Sequence, residues 1–171
     1  MQLSREGLLE VYPQKGTRVS LIDLDLVEEA RFMRENLEKA VAELACEGFP
    51  EEAMFKLEQN VKMQELSIAQ KNYESLFELD EAFHQTIFEG CGKANVWAAI
   101  QQMNVPFQRI RFLRLAADFN WNTIHQQHAA LTEAIRSKQK AKAKKIAEEH
   151  LQLVIFDKQM LIDEFPGYFK K

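Results

Sequence analysis

The sequence predicts an all-α protein, an antiparallel bundle of about six helices preceded by a short β-hairpin. Its 171 residues are enough for one domain of ordinary size with a real core. Six glycines and four prolines are too few for a loop-rich or all-β chain. From Asp23 almost to the C-terminus, apolar residues recur at helical spacing, and the short connections imply antiparallel neighbours.

The composition limits the classes of protein to which the chain can belong. Hydrophobic residues make up 46% and charged residues 28%, the balance of a globular protein. The net charge of −4 gives no general attraction to nucleic acid. Two cysteines are too few for a disulfide framework, and no apolar run reaches the roughly 20 residues that span a bilayer. The N-terminus has no apolar signal core. We therefore expect a cytoplasmic protein without a membrane segment.

Residues 1–20 differ from the rest and predict a β-hairpin. LSREG resembles the last turn of a helix, and LLEVY and TRVSLI have the pattern of two short strands with the turn PQKGT between them. A lone two-stranded hairpin is marginally stable in water. We therefore expect residues 1–20 to need a partner and treat residues 21–171 as a separate helical domain.

The first predicted helix begins after Asp23 or Asp25, either of which can accept hydrogen bonds from the free N–H groups of the first turn. It runs to about Glu47, before Gly48. Its apolar positions are expected on one face, formed by Leu26, Ala30, Met33, Leu37, Val41 and Leu44.

Five further helices follow the first. We place them at about residues 50–70, 73–89, 95–117, 121–136 and 139–163. The helix at 95–117 contains Pro106, which lacks a backbone N–H and sterically opposes the preceding turn. A kink or break is therefore expected at Pro106.

Four polar side chains lie in the apolar stripes of three predicted helices. Asp80 and His84 are four residues apart and share one helix face, and His128 and His150 occupy inward positions of the last two helices. Buried polar groups are costly without specific partners. Imidazole nitrogens and a carboxylate suit Zn, Ni, Mn or Fe, and facing helices of a bundle often hold such ions. We therefore predict that the four side chains converge on one divalent metal ion.

Spacing alone leaves a plainer interpretation open. Each histidine is then a separate core residue with its own hydrogen-bond partner, and Asp80 and His84 form a simple ion pair one turn apart.

An ordered set of segments carries a resemblance to a known family. The segments are RENLEKAVAELA at 34–45, LDEAFHQTIFE at 79–89, Asn95, QHAALTEAI at 127–135 and AKKIAEEHL at 143–151. In this order they resemble the ligand-binding domain of GntR-family bacterial transcription regulators of the FadR-like subgroup. LSREGLLEVYPQKGTRVS resembles the end of the recognition helix and the wing hairpin of that family's winged helix-turn-helix.

The resemblance implies a metal site and an effector. Asp80, His84, His128 and His150 match the family's metal ligands, with Zn the first expectation. Family members sense small organic acids, often carboxylates or sugar acids, whose oxygen atoms can complete the coordination shell of the metal. They act as homodimers on palindromic operators. Because a wing remnant has no use in an enzyme, we expect the chain not to be one.

The resemblance also implies which arginines meet the effector. Arg34 matches an arginine of the first helix that faces the effector pocket, and Arg109 and Arg111 fall in an arginine-containing stretch of the fourth helix. We therefore expect these three side chains to bind the acid.

The chain departs from the family at its N-terminal end. A full winged helix-turn-helix needs about sixty residues ahead of the linker, and only the wing is present, without most of the helix that reads base edges. We therefore expect this shortened form not to bind an operator specifically by itself. Four residues match the wing tip and are expected to contact DNA in the intact protein only, namely Lys15, Gly16, Thr17 and Arg18.

Two other functions compete with effector sensing. A His-rich site with open positions can activate water in a metal-dependent hydrolase. Glu81, Glu133 and Glu149 adjoin candidate ligands, but neighbours on a helix point about 100° apart, so none is an obvious general base. The second alternative is a purely structural metal without an effector.

Overall fold

The computed structural model describes residues 2–5, 7–117 and 121–170, and it confirms a helical bundle preceded by a hairpin. The elements in chain order are α1 (Gln2–Arg5), β1 (Leu9–Tyr12), β2 (Gly16–Val19), α2 (Leu24–Ala45), α3 (Glu51–Ala69), α4 (Tyr73–Gly90), α5 (Ala94–Met103), α6 (Val105–Ala116), α7 (Trp121–Arg136) and α8 (Lys140–Glu164). A 3-10 turn, Pro166–Tyr168, follows α8.

The predicted fourth helix is broken at the place that its proline indicates. Helix α5 ends at Met103 and α6 begins at Val105, so that Pro106 lies in the first turn of a new helix. At that position its missing N–H has no intrahelical acceptor to lose. The amide N of Gln108 donates to the carbonyl oxygen of Asn104 at 2.8 Å. This is the helical hydrogen bond with which α6 begins directly after α5.

Helix α2 begins as predicted, and its buried face includes charged residues beside the predicted apolar ones. Asp23 Oδ1 accepts from the amide N of Asp25 at 3.1 Å and of Leu26 at 3.4 Å, which confirms the cap. The predicted apolar face is partly wrong, because the side chain of Leu26 is 47% exposed while Arg34 and Glu38 are buried. Burial of these charges is tolerated because they pair with each other and with groups on neighbouring helices.

The hairpin pairs β1 and β2 antiparallel, with Leu9 opposite Val19. Val19 is exposed, so the hairpin contributes little to the core. Arg109 of α6 ties its end to the bundle, since Nη2 donates to the carbonyl oxygen of Ser20 at 2.6 Å and Nη1 donates to Ser20 Oγ at 3.0 Å. The hydrogen bonds of Arg109 therefore link the end of the hairpin to the helical bundle.

Two clusters of buried apolar side chains stabilise the bundle. The first includes Phe83 and Trp97, and the second includes Phe107 and Phe169. The Arg34 guanidinium lies between them, 5.3 Å from the ring centre of Trp97 and 5.9 Å from that of Phe107. The buried Arg34 guanidinium thus lies beside an aromatic ring of each apolar cluster. Within the described ranges, no helix is both long and apolar enough to cross a membrane.

Candidate metal centre

The structure brings together the four side chains that lie on inward helix faces. Asp80 and His84 project from α4, His128 from α7 and His150 from α8, and all four are buried. One donor atom from each lies within 4.8 Å of the others. The Nε2 atom of His150 is 3.2 Å from Nε2 of His84 and 3.4 Å from Nε2 of His128. Three imidazoles therefore present the same ring atom to one place.

These separations fit a single divalent cation. Two nitrogens that each lie about 2.1 Å from one ion are about 3.0–3.4 Å apart at tetrahedral or octahedral angles. The carboxylate oxygens of Asp80 lie slightly farther, 3.7 Å from His84 Nε2 and 3.8 Å from His128 Nε2. The donor set of three imidazoles and one carboxylate is that of many transition-metal sites.

A chain of amides fixes the orientation of His128. Its Nδ1 lies 2.9 Å from Gln64 Oε1. Gln64 Nε2 donates to Asn60 Oδ1 at 2.6 Å, and Asn60 Nδ2 donates to the carbonyl oxygen of Leu79 at 2.9 Å. Because a carbonyl oxygen can only accept, both amides have one orientation, and the Gln64 oxygen faces the ring. The hydrogen of His128 therefore lies on Nδ1, and the lone pair lies on Nε2.

The other two imidazoles are held in the same manner. His150 Nδ1 lies 3.0 Å from Gln127 Oε1, and His84 Nδ1 lies 2.8 Å from Glu38 Oε2. With an acceptor beside each Nδ1, the three Nε2 lone pairs point at one another. Such lone pairs repel unless a cation or a proton lies between them.

Burial keeps two of these imidazoles neutral. It lowers the pKa of His128 to about 3, although the nearby Asp80 carboxylate opposes the change. Burial, together with His128 and His84, also lowers the pKa of His150 well below its usual value. A neutral imidazole is the form that binds a metal, so neither group needs to lose a proton at neutral pH.

The carboxylates stay ionised despite burial. Burial alone would raise the pKa of Asp80, but the Arg111 guanidinium and the neighbouring histidines hold it below its ordinary value. Burial likewise opposes ionisation of Glu38, but His84 and Arg34 lower its pKa to about 2. Both groups therefore carry a negative charge at neutral pH.

Two arginines neutralise part of this charge. Arg34 is 0% exposed, its Nε donates to Glu38 and its Nη1 donates to Glu81 at 3.1 Å. Arg111 donates to both Asp80 and Glu81. Counted by themselves, the two guanidiniums and the three carboxylates carry one net negative charge. A divalent cation would turn this into one net positive charge, which favours an anionic ligand.

The remaining residues singled out in the sequence lie elsewhere. The hydrogen bonds of Arg109 go to Ser20 and to the carbonyl oxygen of Leu21, away from Asp80 and the histidines, and its contact with an effector stays a prediction. The wing-tip residues Lys15, Gly16, Thr17 and Arg18 are exposed at the hairpin turn and at the start of β2, and their contact with DNA also stays a prediction.

Sequence reasoning missed the groups behind the ligands. Gln64 lies seven residues after the buried Leu57, on the apolar face of α3, which is a usable signal for a buried polar role. Glu38 lies four residues after Arg34, at the spacing of a helix ion pair. Gln127 precedes His128 in the chain but serves His150 on another helix, which no local pattern indicates.

Known proteins resemble this chain along most of its length. The FCD domain family matches residues 29–153. The HTH-type transcriptional repressor RspR of Escherichia coli K12 is 25% identical over 171 residues, which are 100% of this chain and 75% of the repressor. An HTH-type transcriptional regulator in an unstable DNA locus of Streptomyces ambofaciens is 28% identical over 167 residues, 98% of this chain and 70% of that regulator.

Solved structures share the fold. Escherichia coli McbR/YncC matches with a TM-score of 0.79 at 17% sequence identity, over 95% of this chain and 81% of that one. Streptococcus agalactiae GntR matches with a TM-score of 0.64 at 21% identity, over 90% of this chain and 76% of that one. The family match covers all four candidate ligands, and the chain therefore belongs to the FCD domain family, the effector-binding domain of GntR-family transcription regulators.

Proposed function

We propose that this domain senses a small organic acid, a carboxylate or sugar acid, at a divalent metal ion held by Asp80, His84, His128 and His150. The observation that carries the proposal is the convergence of three Nε2 atoms, each on a ring whose Nδ1 faces an acceptor. Zinc is the metal that this donor set favours, and nickel, manganese and iron accept the same donor types.

The charges around the site favour an anionic effector. A divalent ion held there would supply a positive centre with coordination positions open to oxygen atoms of the acid. Arg34 and Arg111 already bind carboxylates, and a guanidinium can hold a carboxylate through two parallel hydrogen bonds. We assign these two arginines to the part of the acid that lies away from the metal.

Effector binding at this site would change the position of the hairpin. The site draws on α2, α4, α6, α7 and α8, so a ligand there favours one arrangement of these helices over others. Helix α6 carries Arg111 in the site and Arg109 at the hairpin junction. In the intact homodimer, a shift of α6 would change the position of the DNA-binding heads and thereby operator affinity.

The ion pairs of the Glu81 carboxylate disfavour a catalytic role for this site. Glu81 follows Asp80 in the chain and is a candidate for a general base. Arg34 and Arg111 bind it, and together they outweigh burial and hold its pKa well below its ordinary value. A carboxylate this acidic takes up a proton poorly at neutral pH. We therefore propose a sensor and not a hydrolase.

Isothermal titration calorimetry tests the proposal. A panel of small mono- and dicarboxylates and sugar acids is titrated into zinc-loaded protein, into the same protein after EDTA treatment and dialysis, and into protein reloaded with zinc. We expect at least one acid to bind the loaded and reloaded protein and to lose binding after chelation. Acid binding that is unchanged by chelation would show that the metal-dependent part is wrong.

Two variants distinguish a metal that takes part in acid binding from a metal that only stabilises the fold. Asp80→Ala removes one ligand, and His125→Ala removes a histidine of α7 that lies outside the cluster. Both are compared with the unaltered protein by thermal unfolding with zinc and the panel of acids. We expect acid to raise the Tm of the unaltered protein and of His125→Ala, and not of Asp80→Ala. If zinc stabilises the protein and no acid adds to it, the metal is purely structural.

A further inference from the structure

A second carboxylate-binding place adjoins the four candidate ligands, and the chain fills it with its own Glu81. The Glu81 oxygens accept hydrogen bonds from side chains of three other helices. The donors are Arg34 Nη1 at 3.1 Å, Gln101 Nε2 at 2.9 Å, Gln108 Nε2 at 3.3 Å and Arg111 Nη1. Four donors from α2, α5 and α6 thus surround one carboxylate.

These donors are held in place independently of Glu81. Gln108 Nε2 also donates to Gln101 Oε1 at 3.0 Å, which turns the Gln101 amide so that its nitrogen faces Glu81. The Arg34 guanidinium lies over the ring of Trp97, and the Arg111 guanidinium lies 5.1 Å from the ring centre of Phe77. The place is therefore preorganised for a carboxylate.

The Glu81 carboxylate does not accept a hydrogen bond from every nitrogen of the Arg34 guanidinium. Among the described residues, Nη2 of Arg34 is buried and has no hydrogen-bond partner, although the Arg34 side chain is fully enclosed. A buried donor without an acceptor is costly, and a charged one more so. A carboxylate that is not tethered to α4 has more freedom to place an oxygen near this donor.

We infer that this place binds a second carboxylate of the effector, and that Glu81 is an internal competitor which the effector displaces. The inference rests on the proposed function for the identity of the ligand. Arg111 donates to Asp80 with one Nη and to Glu81 with the other, so the two places are joined by a single guanidinium. The ligand is therefore a short dicarboxylic acid, with one carboxylate toward the metal and the other in exchange for Glu81.

The exchange is electrostatically balanced. One carboxylate replaces another beside the same guanidiniums, so no unpaired charge is left buried. The Glu81 side chain is 18% exposed and has a route to solvent. Its departure removes hydrogen bonds from α4 to α2, α5 and α6, so ligand binding changes the contacts between these helices.

Chemical rescue of Glu81→Ala tests the inference. The variant loses the carboxylate but keeps the donors, and acetate has the size and charge of the deleted group. Thermal unfolding of EDTA-treated protein is measured at pH 7.5 in sodium acetate and in sodium chloride of equal ionic strength. We expect Glu81→Ala to have a reduced Tm in chloride. Acetate at ten times its Kd is expected to raise that Tm by about 3–6 °C.

Three comparisons make the rescue specific. Acetamide, which is neutral, is expected to give no rescue, and the unaltered protein is expected to show no acetate-specific shift. Glu35→Ala also deletes a buried carboxylate that pairs with an arginine, but Arg31 then keeps its bond to Glu28. We expect no difference between acetate and chloride for Glu35→Ala.

The rescue experiment stays informative even when Glu81→Ala is unfolded in chloride. If Glu81→Ala does not fold in chloride, its refolding in acetate is followed by circular dichroism, and acetate-specific recovery of helix is expected. Equal Tm values in the two salts, or no recovery in acetate, would overturn the inference. Because the protein is metal-free throughout, a failed rescue does not bear on metal-dependent acid binding, and failure of that binding leaves the rescue unaffected.

Discussion

At the level of a single residue, the fold holds the His128 imidazole in one orientation and one tautomer. Its ring stacks on Phe83, with centroids 4.1 Å apart and ring planes 18° from parallel. Its Nδ1 bonds to Gln64, whose amide is oriented by Asn60 and a backbone carbonyl. Stacking sets the plane of the ring, and the amide chain sets the position of its hydrogen. Orientation and tautomer are therefore fixed by the fold.

Gln64→Leu is expected to weaken zinc binding. The substitution keeps the size of the side chain but removes the acceptor from His128 Nδ1, so the correct tautomer is no longer favoured. We expect a loss of about 10–100-fold in zinc affinity by calorimetry. Gln59→Leu, at an exposed position of the same helix, is the matched control and is expected to bind zinc normally. Equal affinities of the two variants would contradict this role of Gln64.

The metal-free protein is expected to lose stability as the pH falls from 7 to 5. The pKa of His128 is about 3 in the fold and about 6.5 in the unfolded chain, so the unfolded chain binds more protons in this range. The stabilisation is complete above pH 6.5 and declines below it, by roughly 2 kcal/mol at pH 5 for this group. Glu38 contributes mainly below its unfolded pKa of about 4.5.

Urea unfolding of EDTA-treated protein at pH 7 and pH 5 measures this loss. His128→Asn replaces the imidazole with a group that does not titrate, and it is expected to show a smaller loss between the two pH values. If the unaltered protein and His128→Asn lose the same free energy of unfolding, the buried neutral imidazole is not the cause.

Local spacing along the sequence predicts some of the candidate ligands but not the side chains that hydrogen-bond to them. It places Asp80 and His84 on one face, and the structure brings both to the cluster. Arg109 and Arg111 are two positions apart, and side chains at that spacing on a helix point in nearly opposite directions. Arg111 accordingly reaches Asp80 and Arg109 reaches Ser20. The partner amides come from other helices, and only the tertiary fold shows them.

At the level of elements, the end of α4 depends on one glycine. A Cβ atom at Gly90 would lie 2.4 Å from Cε2 and 2.7 Å from Cζ of Phe49, and 3.1 Å from Cβ of Ala53. The missing side chain lets α4 approach the start of α3, where the partly buried Phe49 packs against the first apolar cluster. Any larger residue must move this ring.

Gly90→Ala is expected to lower the free energy of unfolding by about 1–2 kcal/mol, because the overlap with Phe49 outweighs the better helix propensity of alanine. Gly48→Ala is the matched control, since a Cβ there meets nothing within 4 Å. Its effect is expected to stay within about 0.5 kcal/mol. Urea unfolding measures both, and a Gly90→Ala variant as stable as the unaltered protein would contradict the close approach.

The elements that sequence predicts well are those with local signals. Pro106 breaks a helix because of its own backbone, and Asp23 caps α2 through hydrogen bonds within three residues. The buried face of α2 was predicted only in part, because Arg34 and Glu38 are also buried through pairing with α4. Hydrophobic periodicity does not identify a charge whose partner lies on another helix.

At the level of the whole molecule, helix α6 connects the carboxylates of Asp80 and Glu81 to the end of the hairpin. Helix α6 gives Phe107 to the second apolar cluster, Arg111 to the carboxylates and Arg109 to the hairpin junction. An event at the carboxylates therefore has a direct physical connection to the N-terminal end of the chain. This geometry agrees with the sensing role that we propose for the domain.

The function of the whole domain was inferred from the resemblance and not from physical patterning alone. Helical periodicity yields an all-α bundle with four inward polar groups, which also suits an enzyme or a structural metal site. The family match over residues 29–153 narrows this to an effector-binding domain of a transcription regulator. The class of ligand that we propose is inferred from the side chains around Glu81, and these come from α2, α5 and α6.

We propose above that one metal ion is held by Asp80, His84, His128 and His150. A crystal structure of zinc-treated protein, with anomalous diffraction collected on both sides of the zinc edge, tests it most directly. We predict one strong peak per chain, about 2.0–2.2 Å from the three histidine Nε2 atoms and from a carboxylate oxygen of Asp80. Four well-ordered side chains around no peak, or zinc bound through other residues, would contradict this metal site.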